Sequence, residues 1–329
     1  MEYTSEIKKA TSSIYEKVQK KIPEIEWATH ARYIYKINKL KKEKNAVILA
    51  HNYQTPEIYH GISDFSADSL ALAIEAAKTK ADMIIMCGVH FMAETAKLMS
   101  PEKKVFLPDM RAGCSLSSSI NGEDVRNLKK KYPGVPVVSY VNTSADVKAE
   151  TDVCCTSANA VKIVNSLGVK KVIFLPDDYL AKYVASQTDV EIISWKGTCQ
   201  VHEQFNDEEI NEIRKNNPGI KIIAHPECPP DVINASDFAG STSGMIKYVK
   251  DNQPEKVMMV TECSMSDNVQ IDNPNVQFIR PCNLCPHMKR ITLPKVLDCL
   301  ENETNEIVMS KETIEKARRS VERMAEIGR

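Results

Sequence analysis

The sequence lacks any apolar run that approaches the roughly 18 residues of a membrane-spanning helix. It also lacks the charged and then apolar start of a secretory signal peptide. A charge imbalance is absent too, because the net charge is -1 and Lys and Arg are spread along the chain. We therefore expect a cytoplasmic protein that binds neither membrane nor nucleic acid, with the basic run 36–44 as a solvated helix face.

Cysteine, in contrast, is abundant, with ten residues in a chain of 329. Because the cytosol keeps thiols reduced, these cysteines predict metal, cluster or redox chemistry more than a disulfide framework. In its other residue types the chain has the composition of an ordinary globular protein, with 43% hydrophobic and 26% charged residues. The cysteines are therefore the first candidates for function.

Three stretches of the chain repeat one order of short β-branched strands and helix-length segments. Each stretch opens with an apolar strand that ends in polar side chains, at residues 51–53, 140–142 and 225–227. A second feature shared by the three stretches is a short polar segment at 64–69, 152–157 and 237–242, which we call the second marker. An apolar helical pattern comes after it in each stretch. Two more strands follow in each stretch, and a cysteine comes after the last strand. These cysteines are Cys114, Cys199 and Cys285.

The spacing of the three cysteines, 85 and 86 residues, is that of the repeat itself. Functional groups gather at the carboxyl ends of parallel strands. We therefore predict an α/β fold of three homologous three-layer αβα units with short parallel sheets and pseudo-threefold symmetry around a central cavity. The predicted boundaries are a helical extension at 1–45 and units at 46–134, 135–219 and 220–329, the last with closing helices. Residues 263–274 depart from the pattern, because they are polar where a crossover helix belongs.

One thiolate from each of three units is a poor structural zinc site, since such sites usually take four ligands in local pairs. The arrangement suits a 4Fe-4S cluster better, because three cysteines leave one iron open as a Lewis acid. Cys282 forms a CxxC pair with Cys285, so either sulfur could ligate, and the pair could have a redox role. Four others we expect to be buried small hydrophobes: Cys87, Cys154, Cys155 and Cys299.

The segments around these cysteines resemble the quinolinate synthase family. Gly113-Cys114, the run 197–203 and the run 285–289 look like the family's three cluster-binding motifs, and the likeness extends from about residue 46 to 302. It implies three homologous units around a central 4Fe-4S cluster with one non-cysteinyl iron. It also implies the reaction, in which iminoaspartate from an aspartate-oxidising enzyme condenses with dihydroxyacetone phosphate to give quinolinate, phosphate and water on the way to NAD.

This chemistry needs proton transfer near carbonyl groups and donors for anionic substrates. Hydroxyls at predicted helix starts can cradle phosphate or carboxylate together with backbone N–H groups. His202, three residues after Cys199, could contact a cluster sulfur or a substrate, or simply cap its loop. The candidate catalytic residues are His51, Tyr53, His225 and Glu227. The candidate substrate-binding residues are His51, Ser69, Tyr140, Asn142, Ser157, His202, His225, Glu227, Ser241 and Thr242.

Two alternatives have the same cysteine pattern. A reductase of the isoprenoid pathway and the radical enzyme of diphthamide synthesis also draw one cysteine from each of three units, but their local motifs differ from those here. A cluster-based sensor is an alternative of another class. The His, Tyr and Glu side chains at the strand ends argue against it, because a sensor needs no proton-transfer groups.

Overall fold

The computed structural model describes residues 2–280 and 283–328, which fold into alternating helices and strands. The helices and strands are α1 (Ser5–Val18), α2 (Glu24–Glu43), β1 (Ala46–His51), α3 (Pro56–Tyr59), β2 (Phe65–Ala67), α4 (Ser69–Lys78), β3 (Met83–Cys87), α5 (His90–Met99), β4 (Lys104–Phe106), α6 (Ser115–Ser118), α7 (Gly122–Lys131), β5 (Val137–Tyr140), α8 (Ala145–Ala149), β6 (Val153–Cys155), α9 (Ala160–Ser166), β7 (Lys171–Leu175), α10 (Asp178–Ala185), β8 (Glu191–Ser194), α11 (Asp207–Asn216), β9 (Lys221–Ala224), α12 (Pro230–Ala235), β10 (Phe238–Ala239), α13 (Thr242–Asn252), β11 (Lys256–Val260), α14 (Cys263–Asp272), β12 (Gln277–Ile279), α15 (Leu293–Asn302) and α16 (Lys311–Ile327). Short 3-10 turns span His202–Gln204 and Met288–Arg290.

The strands form three parallel four-stranded sheets, so the predicted α/β fold of three repeated units is confirmed. The strand orders are β2-β1-β3-β4, β6-β5-β7-β8 and β10-β9-β11-β12, which is one order used three times. Strands β1, β5 and β9 open the three repeated stretches, as the sequence predicted. Each second marker, however, contributes a short edge strand that the sequence did not predict.

An aspartate at the start of each second marker explains the likeness of the sheets. The carboxylates of Asp64, Asp152 and Asp237 accept the backbone N–H of Ile48, Val137 and Ile222 at 2.9, 2.7 and 2.8 Å. The backbone N–H of each aspartate donates in return to the carbonyl of the same strand residue. The edge strand is therefore fixed to the first strand at the same point in every repeat.

The chain forms two compact units. The first consists of Met1–Ala112, Cys263–Pro274 and Leu284–Ile307, and contains the first sheet. The second consists of Gly113–Glu262, Asn275–Asn283 and Val308–Arg329, and contains the other two sheets. The unit boundaries drawn from the sequence stay a prediction.

Most of the polar segment 263–274 forms the helix α14. The expectation that the third repeat lacks a crossover helix here is therefore wrong. Its polar residues Ser264, Ser266 and Asn268 are buried. The amide of Asn268 donates to the carbonyls of Asn52 and Gln54 at 3.2 and 2.7 Å. The helix is thus polar because it hydrogen-bonds a loop within the first compact unit.

The two closing helices, α15 and α16, each pack against elements of their own compact unit. In the first compact unit α15 packs against α2, and in the second α16 packs against α8 and β6. Among the described residues, no helix combines the length and the apolar character that crossing a bilayer requires.

Candidate active site at the strand ends

Glu227 lies at the centre of the polar strand ends of the second compact unit. It follows β9, and only 4% of its surface is exposed. Its Oε1 accepts the hydroxyl of Tyr140, the last residue of β5, at 2.6 Å, and the side-chain amide of Asn142 at 3.4 Å. Predicted site residues of two repeats therefore meet on one carboxylate.

His202 joins this carboxylate to a cysteine. Its Nδ1 lies 2.8 Å from Oε2 of Glu227 and 3.1 Å from Sγ of Cys199. Its Nε2 lies 3.0 Å from the hydroxyl of Thr261, which directly follows β11. The ring is fully buried and stacks on His225 with centroids 4.9 Å apart. His202 therefore contacts the sulfur of a candidate ligand and does not simply cap its loop.

The charge on Glu227 follows from these neighbours. Burial by itself would raise the pKa of the carboxyl, since a charge is costly away from water. His202 and His225, with the hydrogen bonds from His202 and Tyr140, outweigh burial and hold the pKa of Glu227 below its usual range. The site therefore contains an ionised carboxylate that can accept a proton.

His225 and His51 have the same local geometry in two repeats. Nδ1 of His225 accepts the backbone N–H of Glu227 at 3.3 Å, and Nδ1 of His51 accepts that of Tyr53 at 3.2 Å. When such a ring is in its neutral form, its Nδ1 can accept in this way and its proton lies on Nε2. Nε2 of His225 lies 3.1 Å from the hydroxyl of Ser157.

The candidate hydroxyls do not all occupy helix starts. Ser69 is the first residue of α4, which Asp68 caps. Ser241 caps α13 by accepting the N–H of Gly244 at 3.2 Å, and Thr242 is the first residue of that helix. Ser157 is different, because α9 begins only at Ala160. The predicted helix-start position is wrong for Ser157, whose hydroxyl contacts the His225 ring.

Cys114 and Cys199 belong to segments that a single hydroxyl joins. The hydroxyl of Ser115 donates to the carbonyl of Thr198 at 3.0 Å and accepts the N–H of Gln200 at 3.1 Å. These are the two residues on either side of Cys199. The hydroxyl therefore fixes the backbone of one cysteine segment relative to the other.

Gly197 allows the second cysteine segment to approach β7 closely. A Cβ at this position would lie 2.5 Å from the carbonyl oxygen of Pro176 and 2.6 Å from the hydroxyl of Ser119. Real Cβ atoms are not found so close to a backbone oxygen, so only glycine fits here.

Exposure separates the candidate ligands from the other cysteines. Of the nine cysteines that the structure describes, the three candidates are partly exposed and the other six are buried. Burial raises the pKa of the Cys299 thiol to about 12, and that of Cys154 and Cys155 above its usual range. These buried groups stay neutral thiols. Cys285 lies in the first compact unit, whereas Cys282 falls outside the described residues.

The donor atoms in the second compact unit fit a bound metal group. Sγ of Cys199, Nδ1 of His202 and a carboxylate oxygen of Glu227 lie within 4.8 Å of one another. Although Cys199 is partly exposed, the burial that remains raises the pKa of its thiol well above the usual range, and the nearby charges of Glu227 and Cys114 raise it further. A cation would relieve this crowding of negative charge and favour the thiolate.

Three residues near the site were missed by sequence reasoning. Thr261 and Ser115 could have been found, since Thr261 follows a predicted strand and Ser115 adjoins Cys114. Asp177 gave no such signal. It is fully buried, its Oδ1 caps α10, and its Oδ2 has no hydrogen-bond partner among the described residues. Burial first, and the Glu227 charge next, raise the pKa of Asp177 well above its usual range.

Most of the chain is similar in sequence to known proteins. The family model for "Quinolinate synthetase A protein" matches residues 35–326. A quinolinate synthase of Sinorhizobium fredii is 58% identical over 325 residues, which cover 99% of this chain and 90% of that protein. One of Caulobacter vibrioides is 54% identical over 329 residues, with 99% and 90% covered. One of Xylella fastidiosa is 58% identical over 291 residues, with 88% and 86% covered.

Proposed function

Because this chain belongs to the quinolinate synthetase A family and is an enzyme of NAD biosynthesis, we propose that it condenses iminoaspartate with dihydroxyacetone phosphate. The products are quinolinate, phosphate and water. One observation carries the proposal: donors from two repeats converge on the buried Glu227 carboxylate, next to Cys199. A sensor would not need such a group.

We propose that Cys114, Cys199 and Cys285 ligate a 4Fe-4S cluster. Their partial exposure supports this assignment, because a cluster that acts on substrates has to be bound where substrates can reach it. When bound, the cluster supplies an open iron that acts as a Lewis acid. His202, at 3.1 Å from Sγ of Cys199, orients that ligand.

Protons are handled mainly by Glu227. Its ionised carboxylate takes a proton from a substrate carbon or nitrogen, and the hydrogen bond from Tyr140 keeps it in place. His51 and His225, with the proton on Nε2, donate to carbonyl or carboxylate oxygens. The hydroxyl of Tyr53, whose ring lies against that of His51, is a second candidate for proton transfer.

Substrate anions are bound by neutral donors. Tyr140 and Asn142 orient a substrate carboxylate next to Glu227. Ser69 and Thr242 are the first residues of α4 and α13, where their hydroxyls and the positive end of the helix dipole favour phosphate or carboxylate. Ser157 and Ser241 complete the set, Ser157 through its contact with His225.

We further propose a cytoplasmic enzyme that receives iminoaspartate from an aspartate-oxidising enzyme. None of the nine described cysteines is in a disulfide, which suits a reducing compartment.

The proposal is tested by anaerobic iron and sulfide analysis together with quinolinate formation from the two substrates. We expect about four irons per chain for a 4Fe-4S cluster, with turnover. Serine variants of Cys114, Cys199 and Cys285 should each lose the cluster. Cys87→Ser and Cys299→Ser are the matched controls and should retain it. A cluster without turnover would favour a sensor, and an intact cluster in any ligand variant would remove that cysteine from the ligand set.

A further inference from the structure

A lysine is buried beneath the loop that carries two of the site residues. Lys148 in α8 has no exposed surface. Its ammonium donates to the carbonyl of Val141 at 2.8 Å and to the carbonyl of Thr143. These carbonyls flank Asn142, so Lys148 contacts the backbone on both sides of a residue that reaches Glu227.

Two further hydrogen bonds close the segment 140–143 into one turn. The Thr143 hydroxyl donates to the carbonyl of Tyr140 at 3.0 Å, and its backbone N–H donates to Val141 at 2.8 Å. Carbonyls of the turn thus point towards Lys148 and Thr143. The side chains of Tyr140 and Asn142 meet the Glu227 carboxylate instead.

Because burying an ammonium is unfavourable, we infer that the contact of Lys148 with the two carbonyls does more than fill space. Taking a charge out of water is unfavourable in a protein interior, so lysine is almost never fully buried unless it is paired. The C-terminal helix α16 packs on α8, and the Ser320 hydroxyl donates to the backbone carbonyl of Lys148 at 3.0 Å. An uncharged residue would fill the same space at lower cost.

The first compact unit has a comparable arrangement. The ammonium of Lys289 donates at 2.8 Å to the carbonyl of Tyr53, in the loop that follows β1. This loop likewise carries a tyrosine and follows the first strand of its repeat. A lysine that donates to the backbone at or next to a candidate site tyrosine therefore occurs twice.

We propose that Lys148 is a positioning residue: its two hydrogen bonds to the turn at 141–143 hold Tyr140 and Asn142 against Glu227. Lys148 touches no reacting atom in this role. It acts through the backbone, which sets where the tyrosine hydroxyl and the amide lie. The proposal rests on the proposed function of the same site.

The test is a double-mutant cycle on the cluster-loaded enzyme, assayed anaerobically. Lys148→Met keeps most of the apolar part of the side chain and removes the ammonium donor. Because small displacements of positioned groups cost large factors in rate, we expect kcat to fall about tenfold or more with KM nearly unchanged. In a Tyr140→Phe background the same change should lower kcat by a smaller factor than in the parent, since only the positioning of Asn142 is then still affected.

Lys41→Met is the matched control. Lys41 is also buried, and it donates to the carbonyl of Ile62 at 2.7 Å and pairs with Asp64 at 2.8 Å, away from the strand ends. Removing it should lower the melting temperature and leave kcat unchanged. Iron content and melting temperature are measured for every variant, so that loss of the cluster or of the fold is separated from loss of positioning.

Several outcomes would overturn the proposal. A cluster-loaded Lys148→Met enzyme with kcat within about twofold of the parent would show that Lys148 does not position the site. If the losses in kcat from Lys148→Met and Tyr140→Phe multiply fully, the two residues act independently of each other. Lys148→Gln, which is shorter but keeps an N–H donor, is the second variant and should lose less activity than Lys148→Met. If neither variant folds, Lys148 serves the fold and the positioning role is wrong. If the parent makes no quinolinate, the proposed function fails instead.

Discussion

Replacing Glu227 by Gln tests the chemistry of the site with little change of shape. The amide oxygen can still accept the hydroxyl of Tyr140, which now lies at 2.6 Å. The amide nitrogen, however, cannot accept a proton from Nδ1 of His202, 2.8 Å from the present carboxylate. His202 can adapt by moving its proton to Nε2 and donating to Thr261, so that Nδ1 accepts from the amide.

The expected effects on stability and on rate differ in size. Losing a hydrogen bond to a charged group costs about 1.5–3 kcal/mol, and the new neutral bond returns about 0.5–1.5 kcal/mol. The net loss is about 1–2 kcal/mol, which a fold with about 5–15 kcal/mol of stability tolerates. Loss of the proton acceptor should lower kcat about a hundredfold or more, or about 2.7 kcal/mol in the barrier.

The assay compares kcat, KM, iron content and melting temperature under anaerobic conditions. We expect a normal iron content and nearly normal KM with the large fall in kcat. Glu212→Gln, an exposed carboxylate in α11 of the same compact unit, is the control and should behave as the parent. Turnover of Glu227→Gln near the parent rate would refute the assignment, and Tyr53 or His51 would be tested next.

Two further predictions concern the scaffold. Gly197→Ala should lower iron content and stability, because its Cβ would meet the Pro176 carbonyl at 2.5 Å; normal iron content in this variant would contradict the close approach. Asp109→Asn should lower the melting temperature at neutral pH, because Arg111 and Lys295 hydrogen-bond this carboxylate and, against the effect of burial, lower its pKa. The pKa is lower in the folded state, so the stabilisation is present above the unfolded value of about 3.9 and is lost as pH falls below it. The melting difference between variant and parent should therefore shrink below about pH 4, and a constant difference would exclude the ion pairs as its cause.

Much of the fold was predictable because its signals are local. Apolar strands and helical spacing recur in the chain, and the three cysteines at 85 and 86 residues gave the register of the repeats. The polar candidate site residues could also be predicted from their positions at strand ends, since parallel strands place their carboxyl ends at one edge of a sheet. The short edge strands were missed, because two or three residues give no periodicity.

Other features depended on residues that are distant in sequence. Nothing near Ser157 indicates that its hydroxyl would meet the ring of His225, 68 residues away. The composition of α14 predicts a loop, and only the carbonyls that Asn268 binds make a buried polar helix favourable. The sequence by itself determined which residues end the strands. The tertiary structure decided which of them touch, because the charge of a buried carboxylate such as Glu227 depends on Tyr140 and His202, which folding brings from the second repeat.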